Sequence, residues 1–143
     1  MEPSVERSII GKMEEDGLPV VFKLVDAAPS AETRDRFRWL TVISWKYDRS
    51  VRNGMPPHDA NERMLALEHA VDALEASMLC RQAYTRTGNG LKELVYYISD
   101  REMFMAAFND VLREHPRYPI AINFYEDREW ADFEKLRGLF KPA

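Results

Sequence analysis

The stretch FRWLTVISWKYD, Phe37 to Asp48, decides how the rest of the chain is read. It is dense in aromatic and β-branched residues, the composition of a strand. Side chains alternate along a strand. One face therefore carries Phe37, Trp39, Thr41, Ile43, Trp45 and Tyr47, and the other Arg38, Leu40, Val42, Ser44 and Lys46. A strand with one wet face alternates apolar with polar residues, whereas this one is apolar on both. Its second face needs a cover: a helix of the same chain, a second copy packed sheet to sheet, or a bound partner or ligand.

On the N-terminal side, LPVVFKLV (Leu18 to Val25) reads as another strand. Ala27 to Arg36, with Pro29 and Ser30, reads as a connection, and residues 1–17 as a frayed or loosely helical lead-in. On the C-terminal side comes the turn-rich loop DRSVRNGMPP. A helix follows, with Asp59 as its expected cap and Glu62 three residues on. Met64, Leu67, Val71, Leu74 and Met78 make its apolar stripe. Two strands, about Leu79 to Thr87 and Leu91 to Ser99, flank GNG, and Asn89-Gly90 supplies the positive φ of a tight hairpin. Ser99 and Glu102 form the box that opens a second helix, with Phe104, Phe108, Val111 and Leu112 as its stripe and Pro116 as its stop. Pro119 to Tyr125 reads as a strand, and Asp127 as the cap of a last helix carrying Trp130, Phe133, Leu136 and Phe140.

The order is β, β, α, β, β, α, β, α. Its middle, βαββαβ, is the ferredoxin-like split βαβ, whose right-handed crossovers put both helices on one face of the sheet. The expected fold is α+β: a two-layer ferredoxin-like sandwich with a βαββαβ core, an extra N-terminal strand and a C-terminal helix. Residues 18–143 are expected to form that single domain.

Leu94, Tyr96 and Ile98 read as the helix-covered face, with Glu93, Val95 and Tyr97 opposite. Likewise Ile120, Ile122 and Phe124 read as buried, with Ala121, Asn123 and Tyr125 opposite. The Phe37–Asp48 strand can turn either way. With Leu40 and Val42 toward the helices, Trp39, Ile43 and Trp45 join Tyr97 and Tyr125 on the far face. Each large aromatic hides about 150 to 250 Å² when buried, so several together exceed the few hundred Å² that a monomer leaves exposed in one patch. The C-terminal helix, through Trp130 and Phe133, is the expected cover for part of that face, and a contact surface for the rest. The candidate binding face is Trp39, Trp45, Tyr97, Tyr125, Arg81 and Glu93.

RWLTVISWKYD, NERMLALEHAVDALEAS, AYTRTGNGLKELVYYISD and HPRYPIAINFYEDREW, in this order and spacing, together resemble the bacterial "domain of unknown function 695". The resemblance runs from about Phe37 to Leu136. It implies no activity, so no catalytic residue carries over. More distantly, the arrangement is similar to the acidic ferredoxin-like inhibitors of ribonuclease E, which implies a regulatory binder by fold analogy alone.

Composition narrows the classes. The chain has 143 residues, 45% hydrophobic and 31% charged, a globular composition. Cys80 is the only cysteine, which excludes an intramolecular disulfide and fits a reducing compartment. The acidic N-terminus has no apolar core of a signal peptide, and no apolar run approaches the roughly 20 residues of a membrane span. The expected location is the cytoplasm, with no membrane partner.

Net charge is −4. Asp59, Glu62, Glu68, Asp72 and Glu75 crowd one helix against Arg63 alone, a second candidate surface, for a basic partner segment. His58 with Glu62, and His69 with Asp72, have helical metal spacing, but zinc needs three or four converging ligands, so no metal and no cofactor are expected. Tyr97 and Tyr125, beside Arg81, Arg86 and Lys92, are the residues an RNA-binding sheet would use. The acidic balance argues against nucleic acid. The expected function is non-enzymatic protein binding or regulation, with another protein or a second copy as partner. The alternative is a small-ligand binder or enzyme using the aromatic face.

Overall fold

A computed structural model describes residues 8–140. Among these, six strands form one antiparallel sheet: β1 (Ser8–Glu15), β2 (Leu18–Val25), β3 (Trp39–Lys46), β4 (Cys80–Gly88), β5 (Leu91–Ile98) and β6 (Ile120–Glu126). The order across the sheet is β1-β2-β4-β5-β3-β6. The helices are α1 (Ala31–Arg36), α2 (His58–Asp72), α3 (Arg101–Val111) and α4 (Ala131–Phe140).

Two elements depart from expectation. Residues 1–7 of the expected lead-in lie outside the described residues, but residues 8–15 are a full strand, β1. Its hairpin partner is β2, and Asp16 and Gly17 between them take φ of 54° and 77°. That is the paired positive φ an Asp-Gly turn supplies, so the sheet has one strand more than expected. The expected connection at Ala27 to Arg36 contains α1, whose N-cap Ser30 accepts the Thr33 N–H at 3.1 Å.

The caps also shift. α2 starts after Pro57 with no side-chain cap, so Asp59 lies in its first turn, where its charge complements the helix dipole. α3 is capped by Asp100 rather than Ser99, and Met103 N–H donates to the Asp100 carboxylate at 2.8 Å. Asp127 does open α4: its Oδ1 accepts from Ala131 N–H at 2.8 Å and its Oδ2 from Asp132 N–H at 3.1 Å.

The two apolar faces of β3 follow from the layers that cover it on both sides of the sheet. It is an interior strand, paired with β5 on one side and β6 on the other. On one face, Ile43 and Trp45 join Leu94, Tyr96 and Ile98 beneath Met64, Leu67 and Val71 of α2 and Phe104 and Phe108 of α3. On the other, Leu40 joins Val95 and Tyr97 beneath Trp130 and Phe133, with α4 folded back over them. The cover is the protein's own chain on both sides.

Candidate functional site

The expected aromatic binding face does not assemble. Register places Trp39 opposite Ile98 and Trp45 opposite Lys92, so both tryptophans sit on the α2–α3 side. Trp45 is 3% exposed, with Tyr118 at 5.3 Å and the Arg63 guanidinium at 5.6 Å. Trp39 is half-buried, with Arg101 stacked 4.2 Å from its ring. Tyr97 lies on the opposite face and is fully buried, stacked on Trp130 with centroids 4.0 Å apart and planes 6° from parallel. Its hydroxyl donates to Asp127 at 2.7 Å and accepts from Phe133 N–H at 3.4 Å. Burial, reinforced by that carboxylate, drives the Tyr97 hydroxyl far above the usual phenol range. Glu93 shares the Tyr97 face, half-buried, and burial raises its carboxyl while Arg86 pulls it back. Of the expected set only Tyr125, 53% exposed, and Arg81 face solvent. Tyr97 is closed to base stacking, which removes half of the pair an RNA-binding sheet would need.

The acidic helix divides as well. Asp59 and Glu62 are exposed, but Glu68, Asp72 and Glu75 are half-buried and turn onto β4 and β5. The Gln82 side-chain amide donates to Glu68 at 3.0 Å, the Gln82 N–H to Glu75 at 2.5 Å, and the Tyr96 hydroxyl to Asp72 at 2.7 Å. Glu68 and Asp72 anchor α2 to the sheet, and Glu75 anchors the 3-10 turn Ala73–Glu75 that follows it, rather than face a basic partner. Among the described residues no group of three or more His, Cys, Asp or Glu is placed to hold a metal ion.

Burial raises the Asp72 carboxyl above its ordinary value, against the opposing Tyr96 hydrogen bond. A carboxyl raised in the fold destabilises it when charged: the stability it supplies is full below the unfolded carboxylate pKa and lost as pH rises through the folded value. Asp72→Asn keeps an acceptor for Tyr96 and removes the charge. The variant should melt higher than the parent at pH 7, with the gap closing as pH falls to where Asp72 is neutral in both. Thermal melts from pH 3 to pH 8 check this, and a gap that widens toward low pH would contradict it.

A crevice of about 140 Å³ opens where β2, α1 and α4 meet. Arg81, Gln82 and Glu75 stand at its polar side, and Trp130 and Phe133 form an apolar wall. Glu93 and Tyr97 do not reach it.

The sheet ends offer the sharper contrast. β1 is a guarded edge. Lys12, Glu14 and Glu15 lie along it, Glu15 is tied to Arg86 at 2.9 Å, and the Phe140 ring lies against Gly11. Charges and a covering side chain blunt edge pairing. β6, IAINFYE, has one charge, at its last residue, and among the described residues no strand lies beyond it. Asp127 N–H donates to Arg38 carbonyl at 2.8 Å, which fixes the alternation of the ladder. Backbone groups alternate inward and outward along an antiparallel strand. Those of Ile122, Phe124 and Glu126 therefore point away from β3.

Between this edge and α3 run two hollows. One, about 420 Å³, is lined by Arg101, Glu102, Met105 and Phe124. The other, about 290 Å³, includes Phe108, Leu112 and Ile120. At its end the His115 ring and the Tyr118 hydroxyl stand 2.8 Å apart. Sequence reading passed over this site because an edge is a property of strand order, not of any one strand's residues.

The sequence model of a family described as "Family of unknown function (DUF695)" matches residues 12–136, from within β1 to within α4. The chain belongs to that family. No curated protein and no solved structure matches it. No helix among the described residues is long and apolar enough to cross a membrane.

Proposed function

We propose that this member of the family is a non-enzymatic protein-binding domain that takes an extended segment of polypeptide as an additional strand at β6. The observation that carries the reading is the undefended β6 edge: outward backbone groups on Ile122, Phe124 and Glu126, flanked by the α3–β6 hollows. In strand addition the main chain supplies affinity, and hollows beside the edge receive alternate side chains. A strand and a helix bordering one groove suit that mode. In the same reading the four strands β4-β5-β3-β6, with α2 and α3 on one face, form a ferredoxin-like βαββαβ unit. The β1–β2 hairpin then extends one side, and α4 closes the far face.

Site-resolved photo-cross-linking in native host cells tests the proposal. Benzoylphenylalanine replaces the exposed Asn123 on β6 or, as control, the exposed Lys12 on β1. The expected result is a nuclease-resistant protein adduct from position 123 and none from position 12. Adducts only at position 12, or none at either, would reject the edge.

The Arg81 crevice supports a second reading, a small-ligand site, since it joins a guanidinium and a carboxylate to an apolar wall. A thermal-shift screen of small polar metabolites, repeated on Arg81→Ala, decides it. A ligand whose shift is lost in that variant supports this site, and an equal shift in both removes it.

A further inference from the structure

The β6 edge fits one strand in particular, which is β6 itself. We propose that two copies pair antiparallel through β6 about a two-fold axis at Ile122, joining their sheets edge to edge. This rests on the reading of β6 as a strand-accepting edge and names its occupant.

Three features of the strand carry it. The first is bonding: a two-fold at Ile122 sets the outward groups of Ile122 against those of the second copy, in the phase an antiparallel ladder requires. The second is the match of faces, since opposite residues in an antiparallel pair share a face. On the α3 side Ile120 meets Phe124 of the second copy and Ile122 meets its equivalent, all half-buried apolar residues in the single chain. On the other side Ala121 meets Asn123, small against polar, and the exposed Tyr125 comes to rest on Pro119. A shift of two residues one way would set Ile120 against Glu126 and lose the match, and a shift the other way would set Arg117 against Tyr125 and lose the charge pairing at the strand ends.

The third feature is charge. β6 is preceded by Arg117 and followed by Glu126, Asp127 and Glu129, with Arg128 drawn to Glu126 at 2.7 Å. A parallel arrangement would set acid beside acid. The antiparallel one sets Arg117 beside Asp127 of the second copy at both ends. Complementary charge of this kind fixes register and orientation. Nor does the dimer need unpartnered charges at its centre, because Ile120 to Tyr125 are uncharged.

Sedimentation equilibrium of the purified chain over a concentration series is the first measurement, and a monomer–dimer equilibrium is expected. Ile122→Pro removes an outward N–H that β3 does not use, a position where an edge strand tolerates proline. It should leave a monomer at every concentration. Arg117→Glu places acid beside acid and should raise the dimer dissociation constant about tenfold, the effect of a rim charge. Circular dichroism checks that both variants are folded.

Ile122→Cys gives an independent readout. A residue on the axis faces its own copy, so mild oxidation should yield a disulfide-linked dimer, while Met13→Cys on β1 should not. Cys80 contributes no background, since it is fully buried with its thiol pushed up to about 12. A wild-type monomer throughout, or a dimer unmoved by both Ile122→Pro and Arg117→Glu, overturns the self-pairing. If the chain is monomeric while position 123 still captures a different protein, self-pairing fails and the edge reading stands. No adduct from position 123 removes both.

Discussion

Trp130→Ala should lower the melting temperature by roughly 10 °C or more, the largest loss expected from any single side-chain truncation in the α4 layer. Trp130 is 4% exposed and does three things at once. It stacks on Tyr97, meets Phe133 edge-on at 5.8 Å, and donates from Nε1 to the Phe37 carbonyl at 2.8 Å. Alanine removes the buried ring, leaves a cavity and strands that carbonyl. Trp→Ala in a core costs about 3 to 5 kcal/mol, and each kcal/mol moves a domain of this size by about 3 °C.

The effect should spread beyond the cavity. α4 is held at its start by Asp127, which also receives the Tyr97 hydroxyl, so losing the stack loosens the cap. Amide exchange should therefore speed along α4 before it does along α2. Tyr125→Ala is the control: an exposed aromatic should change stability by no more than about 0.5 kcal/mol. Equal melting losses in the two variants would mean that α4 does not close the second face of the sheet.

That second face shows what the residues revealed and what they withheld. Alternation said which residues of β3 travel together. It could not say which set meets α2 and α3, because that depends on the register with β5. The doubly apolar pattern was legible as a strand whose second face needs a cover, and Trp130 and Phe133 as part of that cover. The grouping of Trp39 and Trp45 with Tyr97 was not, and it failed because Ile43 and Trp45, not Leu40 and Val42, pack under the helices. β1 was missed because an edge strand with one wet side needs little apolar content. Its signal was Asp16-Gly17, a hairpin dipeptide like Asn89-Gly90. For Glu68, Asp72 and Glu75, charge suggested solvent, but Gln82, through its side chain and its backbone N–H, and the Tyr96 hydroxyl offered donors that only tertiary placement brings near. The β6 edge depends on sheet order, which no local pattern contains.

The β1–β2 hairpin, of which β2 alone was legible as a strand, gives the other large prediction. Gly88→Ala should detach it. β2 joins the sheet through β4 alone, along the register Val20↔Gly88 to Leu24↔Tyr84. Gly88 has φ +148°, and a Cβ there would lie 2.4 Å from the Pro19 carbonyl oxygen and 2.8 Å from Val20 Cα. Both are backbone atoms of β2, so no side-chain rotation relieves the contact; the strand itself must move. Strained backbone costs about 1 to 3 kcal/mol and overpacking a similar amount, so a loss of roughly 2 to 6 kcal/mol is expected. Amide exchange should accelerate along β1 and β2 while β3 and β5, paired on both sides, stay protected. Gly17→Ala separates the two causes. Gly17 also has positive φ, +77°, but nothing lies within 4 Å of its Cβ position, so it carries conformational strain without the clash. If Gly17→Ala and Gly88→Ala lose equal stability, conformation alone is responsible, and the close approach of β2 to β4 is not what fixes the hairpin. A Gly88 loss well beyond the Gly17 loss, concentrated in β1 and β2, identifies Gly88 as the position where the sheet admits two further strands only because no side chain stands between them.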